Sequence, residues 1–131
     1  MAGVPAPVLI VDDQAPFRTV ARAVVHMTPG FELVGEAESG EEAVLLASRL
    51  DPGIVLMDIN LPGIDGLEAT RRILAADSTT VVILLSTYSD KDLPPEATTC
   101  GAARYVHKED FGPEVLAEVW DQAASPGRPK P

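Results

Sequence analysis

Short apolar runs alternate with longer amphipathic stretches along this chain, and their spacing predicts its elements. The runs cover residues 8 to 12, 31 to 37, 54 to 58, 81 to 86 and 103 to 107. Runs such as Val8-Leu9-Ile10-Val11 and Ile54-Val55-Leu56-Met57 are apolar on both faces, so they predict parallel strands covered by helices on each side. Helices are expected over 15 to 28, 40 to 50, 66 to 76 and 113 to 124. A further helix belongs between the last two strands, but Leu93-Pro94-Pro95-Glu96 cannot be helix interior. Each proline lacks an N–H and biases the residue before it away from helical angles. That fourth helix is expected to be short or displaced, within an α/β plan of five strands and five helices.

Local signals fix the boundaries. Pro16 suits a first helical turn, and Thr28-Pro29-Gly30 closes that helix. Ser39 is a cap-type residue, followed by Glu41 and Glu42 where the helix dipole favours acids. Leu61-Pro62-Gly63-Ile64-Asp65-Gly66 is rich in turn residues and leads into the third helix. Pro113 opens the last helix, whose Val115, Leu116, Val119 and Trp120 recur at helical spacing. Trp120 reads as a core or interface anchor, and Val115, Val119 and Trp120 are candidates for a dimer face. The expected division is an N-terminal extension over 1 to 7, one domain over 8 to 124, and a proline-rich linker or tail over 125 to 131. No internal repeat is visible.

Composition narrows the function. At 131 residues the chain can bury one continuous core without disulfides or a structural metal. The single Cys100 has no partner, and together with the lack of a signal-like segment it points to the cytoplasm. No apolar stretch approaches membrane-span length. Asp and Glu outnumber Lys and Arg by 20 to 10, a net charge of −10 that repels nucleic acid over most of the surface. Direct DNA binding by this segment is therefore not expected, and an aromatic content of 5% offers no base-stacking platform.

The chemistry lies where the strands end. The first run stops at Asp12-Asp13, the third at Asp58, the fourth at Ser86-Thr87 and the fifth at Lys108. In an open α/β sheet, ligands bind outside the carboxyl ends of the strands. Each residue has an ordinary reading: Asp12-Asp13 as a helix cap, Asp58 as a turn residue, Ser86 as a backbone partner, Lys108 as a solvated amine. Four strands ending in complementary groups at one rim favour a shared site. Carboxylates about 5 Å apart repel by roughly 3 kcal/mol at an effective dielectric of about 20, so the site demands a cation. Oxygen ligands suit Mg²⁺ or Mn²⁺, which recruit phosphate oxygens. A carboxylate with a reference pKa of about 3.9 is already ionised at neutral pH and attacks phosphorus without a general base. No histidine is placed for that role: His26 falls inside a helix, and strand alternation points His107 away from Lys108. Phosphoryl transfer needs charge neutralisation, which a divalent ion, Lys108 and the Ser86 hydroxyl would supply.

In their order and spacing, Asp12-Asp13, Met57-Asp58-Ile59-Asn60-Leu61-Pro62-Gly63-Ile64-Asp65-Gly66, Ser86-Thr87 and Tyr105-Val106-His107-Lys108 resemble the receiver domain of bacterial two-component response regulators. The resemblance covers about residues 8 to 124. Gly35-Glu36-Ala37, Gly66-Leu67-Glu68-Ala69 and Lys108-Glu109 are most similar to the NarL/FixJ subfamily. It implies a flavodoxin-like, doubly wound sheet of order 2-1-3-4-5 and a phosphoacceptor Asp58 served by a sensor histidine kinase. It also implies Mg²⁺ held by Asp12, Asp13, Asp58 and the carbonyl of Asn60. Ser86 would swing toward the phosphoryl group and Tyr105 would rotate inward, changing the surface made by the fourth helix, fifth strand and fifth helix. Asn60 and Tyr88 sit where the family tunes phosphate lifetime. Thr87 departs from the common Ala or Gly, so its branched side chain is expected to crowd access to Asp58.

The resulting reading is a phosphorylation-dependent switch, not a turnover enzyme, that controls a C-terminal HTH DNA-binding domain outside this chain. A homodimer formed on phosphorylation is a further expectation. The alternatives are a stand-alone receiver acting through protein contacts and a receiver that no longer takes phosphate. A metal-dependent phosphohydrolase of the haloacid dehalogenase type would want Asp-x-Asp after the first strand and a cap, where this chain has Asp12-Asp13-Gln14 and no room for one.

Overall fold

The computed structural model describes residues 4–87 and 92–123. Its elements follow in the order β1 (Ala6–Val11), α1 (Ala15–Met27), β2 (Phe31–Ala37), α2 (Gly40–Leu50), β3 (Ile54–Asp58), α3 (Gly66–Ala76), β4 (Val81–Ser86), β5 (Arg104–His107) and α4 (Pro113–Ala123). The five strands form one parallel sheet of order β2-β1-β3-β4-β5, the order the resemblance implied. Tyr88, Ala124 and the expected tail over 125–131 lie outside the described residues.

Strand alternation divides the core into two layers. Leu9, Val11, Val55, Met57, Val82 and Leu84 meet Ala43 of α2 and Leu67, Ala69 and Ile73 of α3. Val8, Ile10, Ile54, Leu56, Ile83 and Leu85 meet Ala21, Val24 and Val25 of α1 and Leu116 and Val119 of α4. All of β3 is buried, which is why its apolar run shows no alternation in the sequence. Each such side chain withdrawn from water contributes about 1.5–3 kcal/mol.

The edges of elements differ from expectation for local reasons. Strand β1 starts at Ala6, ahead of the expected residue 8, because Ala6 pairs with Phe31 and its N–H donates to the Gly30 carbonyl at 2.8 Å. Pro7 has no donor to offer, but its carbonyl accepts from Gly53 N–H at 2.9 Å. Helix α1 stops at Met27, one residue short, because Thr28 turns extended and its hydroxyl donates to the Val24 carbonyl at 2.6 Å. Lys108 does not end β5; it opens a 3₁₀ turn over Lys108–Asp110.

No fifth α-helix appears among the described residues. Pro94 is extended (φ −59°, ψ 144°), and only a 3₁₀ turn over Pro95–Thr98 follows. Ala97 and Cys100 bury themselves against the α2/α3 side of the sheet in place of a helix. Of the candidate dimer face on α4, Val119 is 2% exposed inside the core and is removed, while Val115 and Trp120 are half-buried, the Trp120 ring edge-on to Phe31 at 6.1 Å.

Two caps direct chain toward the strand ends. The Ser39 side chain accepts from Glu42 N–H at 3.1 Å, and Asp65 accepts from Glu68 N–H at 2.9 Å. Helix α3 then begins on Gly66, whose N–H donates to the Ile59 carbonyl at 2.8 Å. A Cβ on Gly66 would collide with the Asp58 carbonyl and stand 2.9 Å from Ile59 Cα, both main chain that cannot move aside cheaply. We expect Gly66→Ala to lower the unfolding free energy by about 1–3 kcal/mol, read as a lower urea midpoint. An unchanged midpoint would show that α3 can back away from β3.

Candidate functional site

Parallel pairing brings the acids together at the carboxyl rim. Val11 pairs with Met57, so Asp12-Asp13 leave β1 beside Asp58 at the end of β3. Carboxylate oxygens of Asp12, Asp13 and Asp58 all lie within 4.8 Å of one another. Asp12 is 1% exposed and Asp58 4%, whereas Asp13 faces solvent. Ser86 ends β4, one residue past the Asp58–Leu85 pair, and is buried; Thr87 is exposed.

Lys108 reaches this rim from beyond β5, across β4. Its Nζ stands 2.6 Å from Asp12 Oδ2 and 3.7 Å from Asp58 Oδ1, so the ammonium leans toward Asp12. The two oxygens of Asp12 have different work. Oδ1 accepts from Gln14 N–H at 2.8 Å, which bends the chain into α1. Oδ2 is buried with no hydrogen-bond donor aligned on it among the described residues and meets only the ion pair. Asp58 Oδ1 receives Asn60 N–H at 3.3 Å.

Burial, and next the neighbouring Asp12 charge, push the Asp58 carboxyl up to about 6; Lys108 and the Asn60 N–H pull the other way, and Asp13 adds to the rise. The free-carboxylate value used in reading the sequence therefore does not hold at this position. Asp58 is still ionised in about nine molecules of ten at pH 7, so it remains a nucleophile without a base. The arrangement can present that carboxylate to an electrophile, offset new negative charge with Lys108, and offer hard oxygen ligands to a divalent cation.

The response regulator receiver domain family matches residues 8–120. The chain belongs to that family. It is 34% identical over 121 residues to the nitrate/nitrite response regulator protein NarL of Escherichia coli K12, covering 92% of this chain and 56% of NarL. It is 36% identical over 123 residues to the transcriptional regulatory protein LiaR of Bacillus subtilis, covering 94% of this chain and 57% of LiaR. The chain thus spans about half the length of these curated relatives. Among solved structures, the receiver domain of the putative response regulator NarL from Mycobacterium tuberculosis superposes with a TM-score of 0.84 at 27% identity, covering 96% of this chain and all 100% of that one. A LuxR-family regulator from Aurantimonas sp. SI85-9A1 gives 0.82 at 31% identity, covering 92% and 86%. The NarL/FixJ-type resemblance is borne out, and the domain is a signalling receiver.

Around the receiver's acid cluster stand residues that the sequence reading passed over. Arg18 Nη1 donates to the Asp12 carbonyl at 2.8 Å, while the same guanidinium pairs with Glu36 at 3.5 Å and Glu38 at 3.7 Å. Phe17, one residue earlier, places its ring against Lys108. Both lie in the first turns of α1, four and five residues past Asp13; that spacing was the available signal. Glu41 accepts from Ile64 N–H at 3.1 Å and ties the loop after Asp58 to α2. His107 does not turn wholly away: its Nδ1 accepts from Glu109 N–H at 3.2 Å, which leaves Nε2 to donate to the Thr87 carbonyl at 3.1 Å. Tyr105 is already half-buried against the α2/α3 side of the core, its hydroxyl 3.5 Å from the Ser86 carbonyl.

The raised Asp58 value carries a stability consequence of definite sign. Between 3.8 and about 6 the folded state holds a proton that the unfolded chain has released, so stability falls as pH rises through this window. A gap of about two pH units makes ionised Asp58 cost about 3 kcal/mol at neutral pH. In EDTA, Asp58→Asn should therefore exceed the native chain in urea stability by about that amount at pH 7.5, with the advantage vanishing near pH 4. A pH-independent advantage would rule out the charge as its origin.

Proposed function

We propose that Asp58 accepts a phosphoryl group from the phosphohistidine of a sensor histidine kinase. The observation that carries this reading is a carboxylate at the end of a fully buried strand, ionised beside an ammonium and two further acids. An Asp58 oxygen forms the O–P bond as the N–P bond breaks, and the imidazole departs with the electron pair. No general base is required, because the attacking group is already deprotonated. Lys108 offsets the added negative charge, and the Ser86 hydroxyl donates to a phosphoryl oxygen.

Asp12, Asp13, Asp58 and the Asn60 carbonyl fit Mg²⁺ or Mn²⁺: the set is oxygen only, and one oxygen from each of the three carboxylates lies within 4.8 Å of the others. When bound, such an ion neutralises charge on the phosphoryl oxygens. Asn60 and Thr87 stand beside Asp58 and Ser86 in the sequence and, with Tyr88 as the third such position, would set how long the acyl phosphate survives before water cleaves it. Tyr105 responds to Ser86 as part of the switch, from a position already packed inward. The unit doing this is the expected domain, which takes in Ala6 and Pro7 of β1 from the expected extension over 1–7 and would run to about residue 124, ahead of the expected linker over 125–131.

The chain would act in the cytoplasm, where no helix among the described residues is long and apolar enough to cross a membrane. Its relatives run to nearly twice its length, which supports output through a C-terminal HTH DNA-binding domain, with DNA contacted only there. A phosphorylation-dependent homodimer could draw on Val115 and Trp120 of the expected face but not on buried Val119.

Incubation with Mg²⁺ and acetyl phosphate should add one phosphate mass to the native chain and none to Asp58→Asn. An equal gain in the variant would sink the assignment of Asp58. Thr87 stands exposed beside buried Ser86 at this mouth. Thr87→Ala should gain and lose phosphate several-fold faster, as followed by intact mass over time; unchanged rates would remove Thr87 as the obstruction.

A further inference from the structure

The Lys108 ammonium is held by more than its two carboxylates. It lies 4.6 Å from the centroid of the Phe17 ring, over its face. Phe17 belongs to the first turn of α1, and its ring is itself backed by Phe111, with centroids 6.4 Å apart and planes tilted by 49°. Phe111 is buried just ahead of α4, in the same core layer as Val106 and Leu116. The ring is therefore fixed from behind and presents its electron-rich face to the cation.

Fixing is what this lysine needs. It carries a point charge on four freely rotating carbons, and such stems readily extend their heads into water. Lys108 comes from a 3₁₀ turn past β5 and has to cross the end of β4 to reach Asp58. Its side chain is nonetheless only 14% exposed. Attraction to Asp12 and Asp58 alone would leave the ammonium many orientations around the acid cluster; the aromatic face removes the outward ones.

We propose that Phe17 is a positioning residue for Lys108, holding the ammonium where it meets Asp12 and can reach charge arriving on Asp58. This rests on the reading of Asp58 as phosphoacceptor. Phe17 itself touches no reacting atom. It acts by preorganisation, so losing the ring face slows the step that builds charge on Asp58 while leaving the oxygen ligands of the cation untouched.

The test uses the full chain with ¹³C-labelled lysine. The chain has three lysines, Lys91, Lys108 and Lys130, and Lys108→Arg assigns the resonance of interest. In the native chain the Lys108 ε-methylene protons should lie upfield of the other two through the ring current. Phe17→Tyr should keep that shift, and Phe17→Leu, which preserves apolar packing, should abolish it. At saturating acetyl phosphate, Phe17→Leu should gain phosphate about three- to tenfold more slowly, the factor expected of one cation–π contact. Its half-saturating Mg²⁺ concentration should be unchanged, and Phe17→Tyr should restore the rate. An unmoved Lys108 resonance in Phe17→Leu, or a Phe17→Tyr rate as slow as that of Phe17→Leu, would overturn the proposal. Absence of phosphate on Asp58 in the native chain would instead defeat the phosphoacceptor reading, and the lysine shifts would still decide whether Phe17 holds Lys108.

Discussion

Repulsion among Asp12, Asp13 and Asp58 is the constraint around which the rest of the molecule is built. Parallel pairing of β1 with β3 forces oxygens of all three within 4.8 Å, two of them on buried side chains. Left to itself that rim would splay. It is held shut by what lies below it: every residue of β3 is buried, the residues of β1 alternate between two apolar layers, and Gly66 lets α3 close onto the Asp58 carbonyl. The favourable burial of strands that read as plain apolar runs is what makes an unfavourable charge cluster tolerable.

The sheet order then decides who answers that charge. Asp12 and Asp13 come from β1, Asp58 from β3, Ser86 from β4 and Lys108 from just past β5, four neighbouring strands in spatial sequence. Only a long side chain can return a cation across β4 to the acids. Having crossed, Lys108 settles closer to Asp12, the most buried of the three, than to Asp58. Asp58 is consequently under-compensated, so the rise that burial chiefly imposes on its pKa, with the Asp12 charge next, is only partly offset. A group held short of full compensation gains most from any further cation.

Much of this was legible in the chain itself. Buried strands declare themselves as unbroken apolar runs, as β3 and β4 do, and β2, α2 and α3 also emerged with the boundaries the pattern predicts. The consecutive prolines announced a short or displaced fourth helix, and among the described residues only a 3₁₀ turn over Pro95–Thr98 stands there. The logic of strand ends singled out Asp12, Asp13, Asp58, Ser86 and Lys108 because, ordinary one by one, they are complementary as a set at one rim. Phe17, Arg18 and Glu41 escaped because each is ordinary at its own helical position; what they do depends on a partner that only the fold brings near. The Asp58 pKa escaped for the same reason, since burial dominates it. Helical period likewise gave α4 an apolar face without saying that Val119 and Trp120 were already committed to the core and to Phe31.

With no α-helix between β4 and β5 among the described residues, the contacts between those two strands carry more of the mechanical connection than they otherwise would. Tyr105 and His107 lie two residues apart on β5, and each reaches a main-chain carbonyl at the end of β4. The Tyr105 hydroxyl approaches that of Ser86 at 3.5 Å, and His107 Nε2 approaches that of Thr87 at 3.1 Å. The first is long for a hydrogen bond and the second is of ordinary strength. These two contacts hold the end of β4 to β5 beyond the ladder itself. Strand β5 is in turn tied to α4 by Arg104, whose Nη1 lies 3.2 Å from Glu118 Oε1. Main-chain and side-chain contacts thus run from the end of β4 through β5 to the surface of α4 without a helix at Pro94-Pro95.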